Sequence, residues 1–262
     1  MQQYDAVILA GGRAPWLKEL CGTELRCLAT LNGRHMVDYI SEALLASGRV
    51  RRIVLAANAD ALPELAAALP PQVSLCEAAG DMPSTAAAAV NSLGKDCSEN
   101  IIFACDDIPL LTAAGVQDFI QQCERVPGKG IYYTIIPKDA CLKSYPDAKR
   151  TFGTVTDGTF TGGNLLLVGR EVVLNSQKLT REIFALRKSP FALANWLGWS
   201  FILKAVFRRL SINEAEKRFS HIMHTPSKAI ITNFAEIGMD VDKPEDLRLI
   251  EKYLTKNISK QL

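Results

Sequence analysis

The chain has 262 residues, 48% of them apolar, with 30 basic and 28 acidic side chains and a net charge of +2. That length holds one large domain or two small ones around a substantial core, and the near balance of charge excludes a general electrostatic affinity for nucleic acid. Seven cysteines without a C-x-x-C pair read as reduced, mostly buried thiols of a cytoplasmic protein.

The N-terminus enters Val7, Ile8, Leu9 and Ala10 without the basic region and long apolar stretch of a signal peptide. Short apolar runs bounded by turn residues predict strands at 5–10, 53–57, 73–76, 101–105, 131–136, 164–168 and 228–232. Helix-period stretches at 36–47, 61–69, 84–94 and 112–124 lie between most of them. Strands alternating with helices favour a mostly parallel, doubly wound sheet, and right-handed crossovers gather the loops that follow its strands on one edge. Thr112 is placed to cap its helix, and Asp242 with Glu245 three residues on matches a capping box.

The first strand runs into Gly11 and Gly12, where a backbone without side chains can aim its amides at phosphate oxygens. Neither the G-x-G-x-x-G nor the G-x-x-x-x-G-K-[ST] spacing is present, so this is another kind of glycine loop. Arg13, Lys18 and Arg26 follow as cations able to neutralise phosphates and a leaving pyrophosphate. The strand at 101–105 ends in Asp106 and Asp107 before Pro109, at the edge where open α/β sheets bind ligands. Asp240 and Asp242 precede the last helix. Two hard oxygen ligands from separate loops suit Mg²⁺, which keeps several waters and completes its shell with substrate phosphate.

Residues 179–225 interrupt the alternation and read as wholly helical. Within them, 191–207 is apolar around much of its circumference, flanked by Arg187, Lys188, Arg208 and Arg209, and marginally short for crossing a bilayer. It is expected as a helix buried in a subdomain or a dimer contact, with a membrane-surface helix or a cover over an apolar acceptor as alternatives; the contact would fall on 190–209. No linker separates a second unit, so 1–262 is expected as one domain carrying this insertion.

The ordered set L-A-G-G-R (9–13), R-C-L-A-T-L-N-G-R-H-M-V (26–37), D-D-I-P-L-L-T (106–112), T-G-G-N (161–164) and D-V-D-K-P-E-D-L (240–247) resembles the MobA-like nucleotidyltransferase family. Its wider relatives include cytidylyltransferases and the pyrophosphorylase domains that make sugar nucleotides. The resemblance implies a three-layer α/β/α sandwich of GT-A type with a mostly parallel central sheet. It also implies attack of a phosphorylated or hydroxyl small-molecule acceptor on the α-phosphorus of an NTP, with Mg²⁺, releasing pyrophosphate.

Carried onto this sequence, Ala10, Gly11, Gly12 and Arg13 match the phosphate loop, and Arg26 stands where the family has a lysine. Asp107 and Asp242 match the metal carboxylates, completing an expected catalytic set of Arg13, Arg26, Asp107 and Asp242. Gly80, Ser84 and Thr85 fall where relatives contact the base, and Asp106, a glycine in the family, joins the nucleotide side. Gly162, Gly163 and Asn164 end an acceptor region, 137–163, that carries Lys138, Lys143, Lys149 and Arg150. Residues 14–18 depart from the family's loop, which leaves a nucleotide-binding or regulatory module as the alternative to an enzyme. Among enzymes, a molybdopterin guanylyltransferase and a cytidylyltransferase for an alcohol phosphate both stay open.

Overall fold

The computed structural model describes residues 2–67, 69–126, 130–186 and 195–261. Along the chain run β1 (Tyr4–Ala10), α1 (Leu17–Cys21), a 3-10 turn (Arg26–Leu28), β2 (Thr30–Leu31), β3 (Arg34–His35), α2 (Met36–Ala46), β4 (Val50–Ala57), α3 (Leu62–Ala66), β5 (Val73–Glu77), α4 (Met82–Ser92) and β6 (Asn100–Cys105). Then follow α5 (Ala113–Arg125), β7 (Ile131–Pro137), α6 (Lys138–Ser144), β8 (Gly153–Val155), β9 (Gly158–Gly169), α7 (Arg170–Asn175), α8 (Gln177–Leu186), α9 (Trp199–Val206), α10 (Ile212–Met223), β10 (Ser227–Ile231), a second 3-10 turn (Ala235–Gly238) and α11 (Pro244–Gln261).

Eight strands form one sheet in the order β10-β7-β9-β6-β1-β4-β5, with β8 added beside β9. β1 pairs in parallel with β4 and β6, β4 with β5, and β7 with β10. β9 runs antiparallel to its neighbours β6, β7 and β8. Helices lie on both faces, so the architecture is a mostly parallel α/β/α sandwich. In β1, Tyr4, Ala6, Ile8 and Ala10 enter the core under α2 and α5, whereas Val7 joins Val54, Phe103 and Val90 on the other face. A central parallel strand is buried on both faces, and this is why its sequence is almost continuously apolar.

β9 begins at Gly158, six residues before the expected strand, so Gly162, Gly163 and Asn164 all lie inside it. A Cβ at Gly162 would overlap the Tyr133 hydroxyl, and one at Gly163 would overlap Thr134 Oγ1. The β7–β9 register shifts between Tyr133 and Ile135. The two glycines therefore serve a close approach of side chains across a bulged pair.

In the insertion, α8, α9 and α10 are helical as expected, but Gly198 at φ +96° stops a helix from running through 191–207. Residues 187–194 lie outside the described residues. α9 has no buried residue; Trp199, Leu203, Val206 and Phe207 are all more than half exposed. Within this chain the helix is only partly covered: Phe201 lines a cavity against the sheet, while Trp199, Leu203, Val206 and Phe207 face outward. Among the described residues, no helix is long and apolar enough to cross a membrane.

At the amino end of β1, Asp5 is fully buried, and its carboxylate accepts from Arg51 Nε (2.8 Å), Arg52 Nε (2.9 Å) and the Ser98 amide (2.7 Å). Burial opposes its charge, yet these donors outweigh burial and hold the carboxyl down at about 2. A depressed folded pKa stabilises above the unfolded value, so this contribution is present above pH about 4 and is lost as pH falls through about 2. Asp5→Asn should lower stability at pH 7 by about 2 kcal/mol and flatten the acid limb of the melting curve between those pH values. An unchanged acid limb would show that Asp5 does not anchor the strand.

Candidate active site

The carboxyl ends of β1, β4, β5 and β6 meet on one edge, where Gly11 and Gly12 leave β1. The chain after them folds back: Ala14 N donates to Glu24 O (2.8 Å) and Arg26 N to Gly12 O (3.1 Å). That return lays the Arg26 side chain across Gly12, where a Cβ would overlap its guanidinium. Gly12 is required here for close approach.

Arg26 is the hub. Its Nη1 lies 2.6 Å from Asp107 Oδ2 and 3.6 Å from Asp242 Oδ1, while Nε lies 3.6 Å from Asp106 Oδ1. Two distances to one nitrogen bound the separation of the Asp107 and Asp242 oxygens at their total, 6.2 Å. The sequence separates these residues by 135 positions. They are brought together by the loop that follows β10, in which Val241 N donates to Asp107 O (2.9 Å). Burial opposes the Arg26 charge, but Asp106, Asp107 and Asp242 outweigh it and raise its pKa.

Asp242 does not cap α11. Pro244 takes the first helical position, which suits a residue with fixed φ and no N–H. Asp246 then reaches back to the amides of Lys243 (3.0 Å) and Asp242 (3.2 Å). The expected capping box is therefore shifted by one residue, leaving the exposed Asp242 carboxylate to face Arg26.

Asp106 is buried under the guanidinium, away from the open edge. Its burial, aided by the Asp107 charge and opposed by Arg26, pushes its carboxyl well up; burial also raises Asp107, again against Arg26. Both Asp106 oxygens and Asp107 Oδ1 are buried without a hydrogen-bond partner among the described residues. Asp106 faces Arg26 at 3.6 Å without a hydrogen bond, so the cost of burying its charge is only partly offset, and Asp106→Asn should raise the melting temperature at neutral pH. A lower melting temperature would mean that Asp106 is a net stabilising partner of Arg26.

Around this centre, Arg150 pairs through Nη1 with Asp240. Arg13 turns to the rim, half exposed and paired with Asp60, and Lys18 faces Glu24. Asn58 Nδ2 holds Gly11 O at 3.1 Å. Asn58 and Asp60 escaped the sequence reading, although a polar turn directly after the apolar run 53–57 marks the same edge. At the start of α4, Gly80 sits at φ +82°, Asp81 caps the Ser84 amide (2.7 Å) and Thr85 Oγ1 accepts from Ala79 N (3.0 Å). Arg181 of α8 bonds Asp81 Oδ2 (2.6 Å) and Ser84 Oγ (2.9 Å), tying the insertion to this loop. The structure thus gathers Gly11, Gly12, Arg26, Asp106, Asp107 and Asp242, and sets Gly80, Ser84 and Thr85 beyond the end of β5, two strands from β1.

All seven cysteines are free; Cys27, Cys123 and Cys141 are buried and the other four half-buried. Burial raises Cys105 despite the nearby Arg26, so its thiol is not an activated nucleophile.

A mostly parallel α/β/α sandwich with one antiparallel strand and an acidic centre beside a glycine turn is the architecture of the GT-A-like nucleotidyltransferases. The sequence profile of the MobA-like NTP transferase domain matches residues 6–178, more than half of the chain, and the chain belongs to that family. Among solved structures, a hypothetical transferase from Thermus thermophilus is 32% identical, with 94% of this chain and 100% of that one covered at a TM-score of 0.80. The 4-diphosphocytidyl-2C-methyl-D-erythritol synthase of Anaerococcus prevotii is 8% identical, with 97% and 99% covered and a TM-score of 0.60. A CMP:2-keto-3-deoxy-manno-octonic acid synthetase complexed with CTP is 13% identical, with 98% and 100% covered and a TM-score of 0.59. These last two likenesses are of fold. A search of curated proteins finds no match.

Proposed function

We propose that this nucleotidyltransferase moves an NMP group from an NTP to a phosphorylated or hydroxyl acceptor in an Mg²⁺-dependent reaction. The observation that carries the reading is the convergence of Asp107 and Asp242 on one guanidinium nitrogen beside the Gly11 and Gly12 turn. The residues fit the ion: Asp107 Oδ1 is buried and unpartnered, and four carboxylates (106, 107, 240 and 242) surround two guanidinium groups, Arg26 and Arg150. Among the described residues no three acidic, histidine or cysteine side chains are placed to hold one metal ion together, so water and substrate phosphate would supply the rest of the shell.

When bound, Mg²⁺ supplies charge neutralisation and alignment of the triphosphate. Gly11 and Gly12 let the backbone approach the phosphates, and Arg26 holds positive charge where the pyrophosphate separates. The acceptor oxygen bonds to the α-phosphorus as the α–β bridging P–O bond breaks. Pyrophosphate leaves with the bonding pair, and a hydroxyl acceptor gives its proton to solvent.

The test is a panel of NTPs, each with Mg²⁺ or with a chelator, scored by thermal shift and by pyrophosphate release with phosphorylated acceptors. One NTP should stabilise the protein by about 2–3 kcal/mol at ~100-fold over its Kd, and release should need Mg²⁺. Stabilisation without release across the acceptor panel would favour a binding module, and release under chelator would remove the metal from the reading.

A further inference from the structure

Between the sheet and the helices of the insertion lies a cavity of about 930 Å³. Strand side chains such as Leu9, Cys105 and Leu166 form its floor, and Ile183 of α8, Phe201 of α9 and Phe219 of α10 form its roof. Folded cores pack at crystal density and rarely leave a void larger than a water molecule. This one has the size of a ligand pocket, at the upper end of the usual ~300–1,000 Å³ range. Its lining is overwhelmingly apolar, and an apolar void gains nothing from water but gains much from an apolar guest.

The cavity adjoins the acidic centre. Cys105, on its floor, directly precedes Asp106 and Asp107; Leu9 directly precedes Ala10; and Thr151, also lining it, follows Arg150. Gly162 lines it too, and the side chain it lacks would overlap the Tyr133 hydroxyl. The roof belongs to the helical insertion, beyond the family match at 6–178. On the outer side of that roof α9 exposes Leu203, Val206 and Phe207, an apolar surface on which a hydrocarbon can partition before entering.

We propose that the acceptor carries a single long alkyl chain, seated in this cavity, with its phosphate or hydroxyl head directed to Asp107. The assignment rests on the nucleotidyl-transfer reading for the head group, and on the cavity alone for the chain.

The test uses the full chain and straight-chain monophosphates from n-butyl to n-dodecyl phosphate, below their micelle concentrations, in two arms. The first is calorimetric binding with Mg²⁺ present, where Kd should tighten by about fourfold per added methylene until the cavity is filled. The second is pyrophosphate release with the stabilising NTP, where KM should follow the same series while kcat changes little. Ile183→Trp, which narrows the cavity, should end the series at a shorter chain, and Phe201→Asp, which puts a charge in it, should flatten the series; both should leave the NTP-induced thermal shift intact. Two variants on different helices guard against one that fails to fold. A flat series for the unaltered protein, or a steep one that survives both substitutions, overturns the proposal. Steep binding without pyrophosphate release for any NTP would instead overturn nucleotidyl transfer and leave the alkyl-chain site standing.

Discussion

Asp107→Asn is expected to lower pyrophosphate release by about 10²–10³-fold while leaving the protein at least as stable as the unaltered chain. The two halves have one cause. The Asp107 carboxylate is buried, with Oδ1 unpartnered, and burial pushes its pKa up against the pull of Arg26, so its charge strains the folded state. An amide of the same shape removes that strain and also removes the hard ligand. Activity and stability moving in opposite directions is the mark of a group retained for chemistry. Rate, melting temperature and the Mg²⁺-induced thermal shift, measured on one preparation, check it. A variant that keeps the full rate removes Asp107 from the site, and one whose loss tracks unfolding reduces it to a structural acid.

Arg26→Ala should cost a similar factor in turnover, about 10²–10³-fold, if the proposed reaction holds, because it would delete the charge beside the separating pyrophosphate. Here stability should fall as well, since three carboxylates lose their common partner and breaking a buried pair costs about 3–5 kcal/mol. Mg²⁺ should then stabilise the variant more than it stabilises the unaltered protein, because the ion takes over neutralising Asp107 and Asp242. Arg26→Lys, which keeps the positive charge, should recover most of the rate. Arg13→Ala should do less, as Arg13 is half exposed and turned to Asp60. Equal rates for Arg26→Ala and the unaltered enzyme would return Arg26 to a purely structural role.

What the sequence by itself determined is local. The apolar runs at 5–10 and 101–105 became β1 and β6 because a strand buried on both faces must be apolar throughout. Thr112 caps α5, accepting from Gly115 N at 3.0 Å, because an N-cap needs only a side-chain oxygen three residues before the amide. Gly11, Gly12 and the Asp106 and Asp107 pair stand at strand ends, which apolar-to-polar switches mark without knowledge of the fold. Five motifs in order, likewise, identify a family whatever the packing.

The remainder was decided only by tertiary structure. No periodicity says that β9 inserts antiparallel between β6 and β7, since alternation reports which face a side chain takes and nothing about its neighbours. Gly162 and Gly163 read as the end of an acceptor region because a chain does not show that Tyr133 and Thr134 lie across them. The capping box of α11 formed one residue later, with Asp246 accepting from the Lys243 amide, and so left Asp242 for Arg26, a choice between two near-equal local arrangements. The apolar surplus of the insertion was plain in sequence, but hydrophobicity is non-directional. Only the packed chain shows part of it lining a cavity and part of it facing outward, and only packing sets two carboxylates 135 residues apart on one guanidinium.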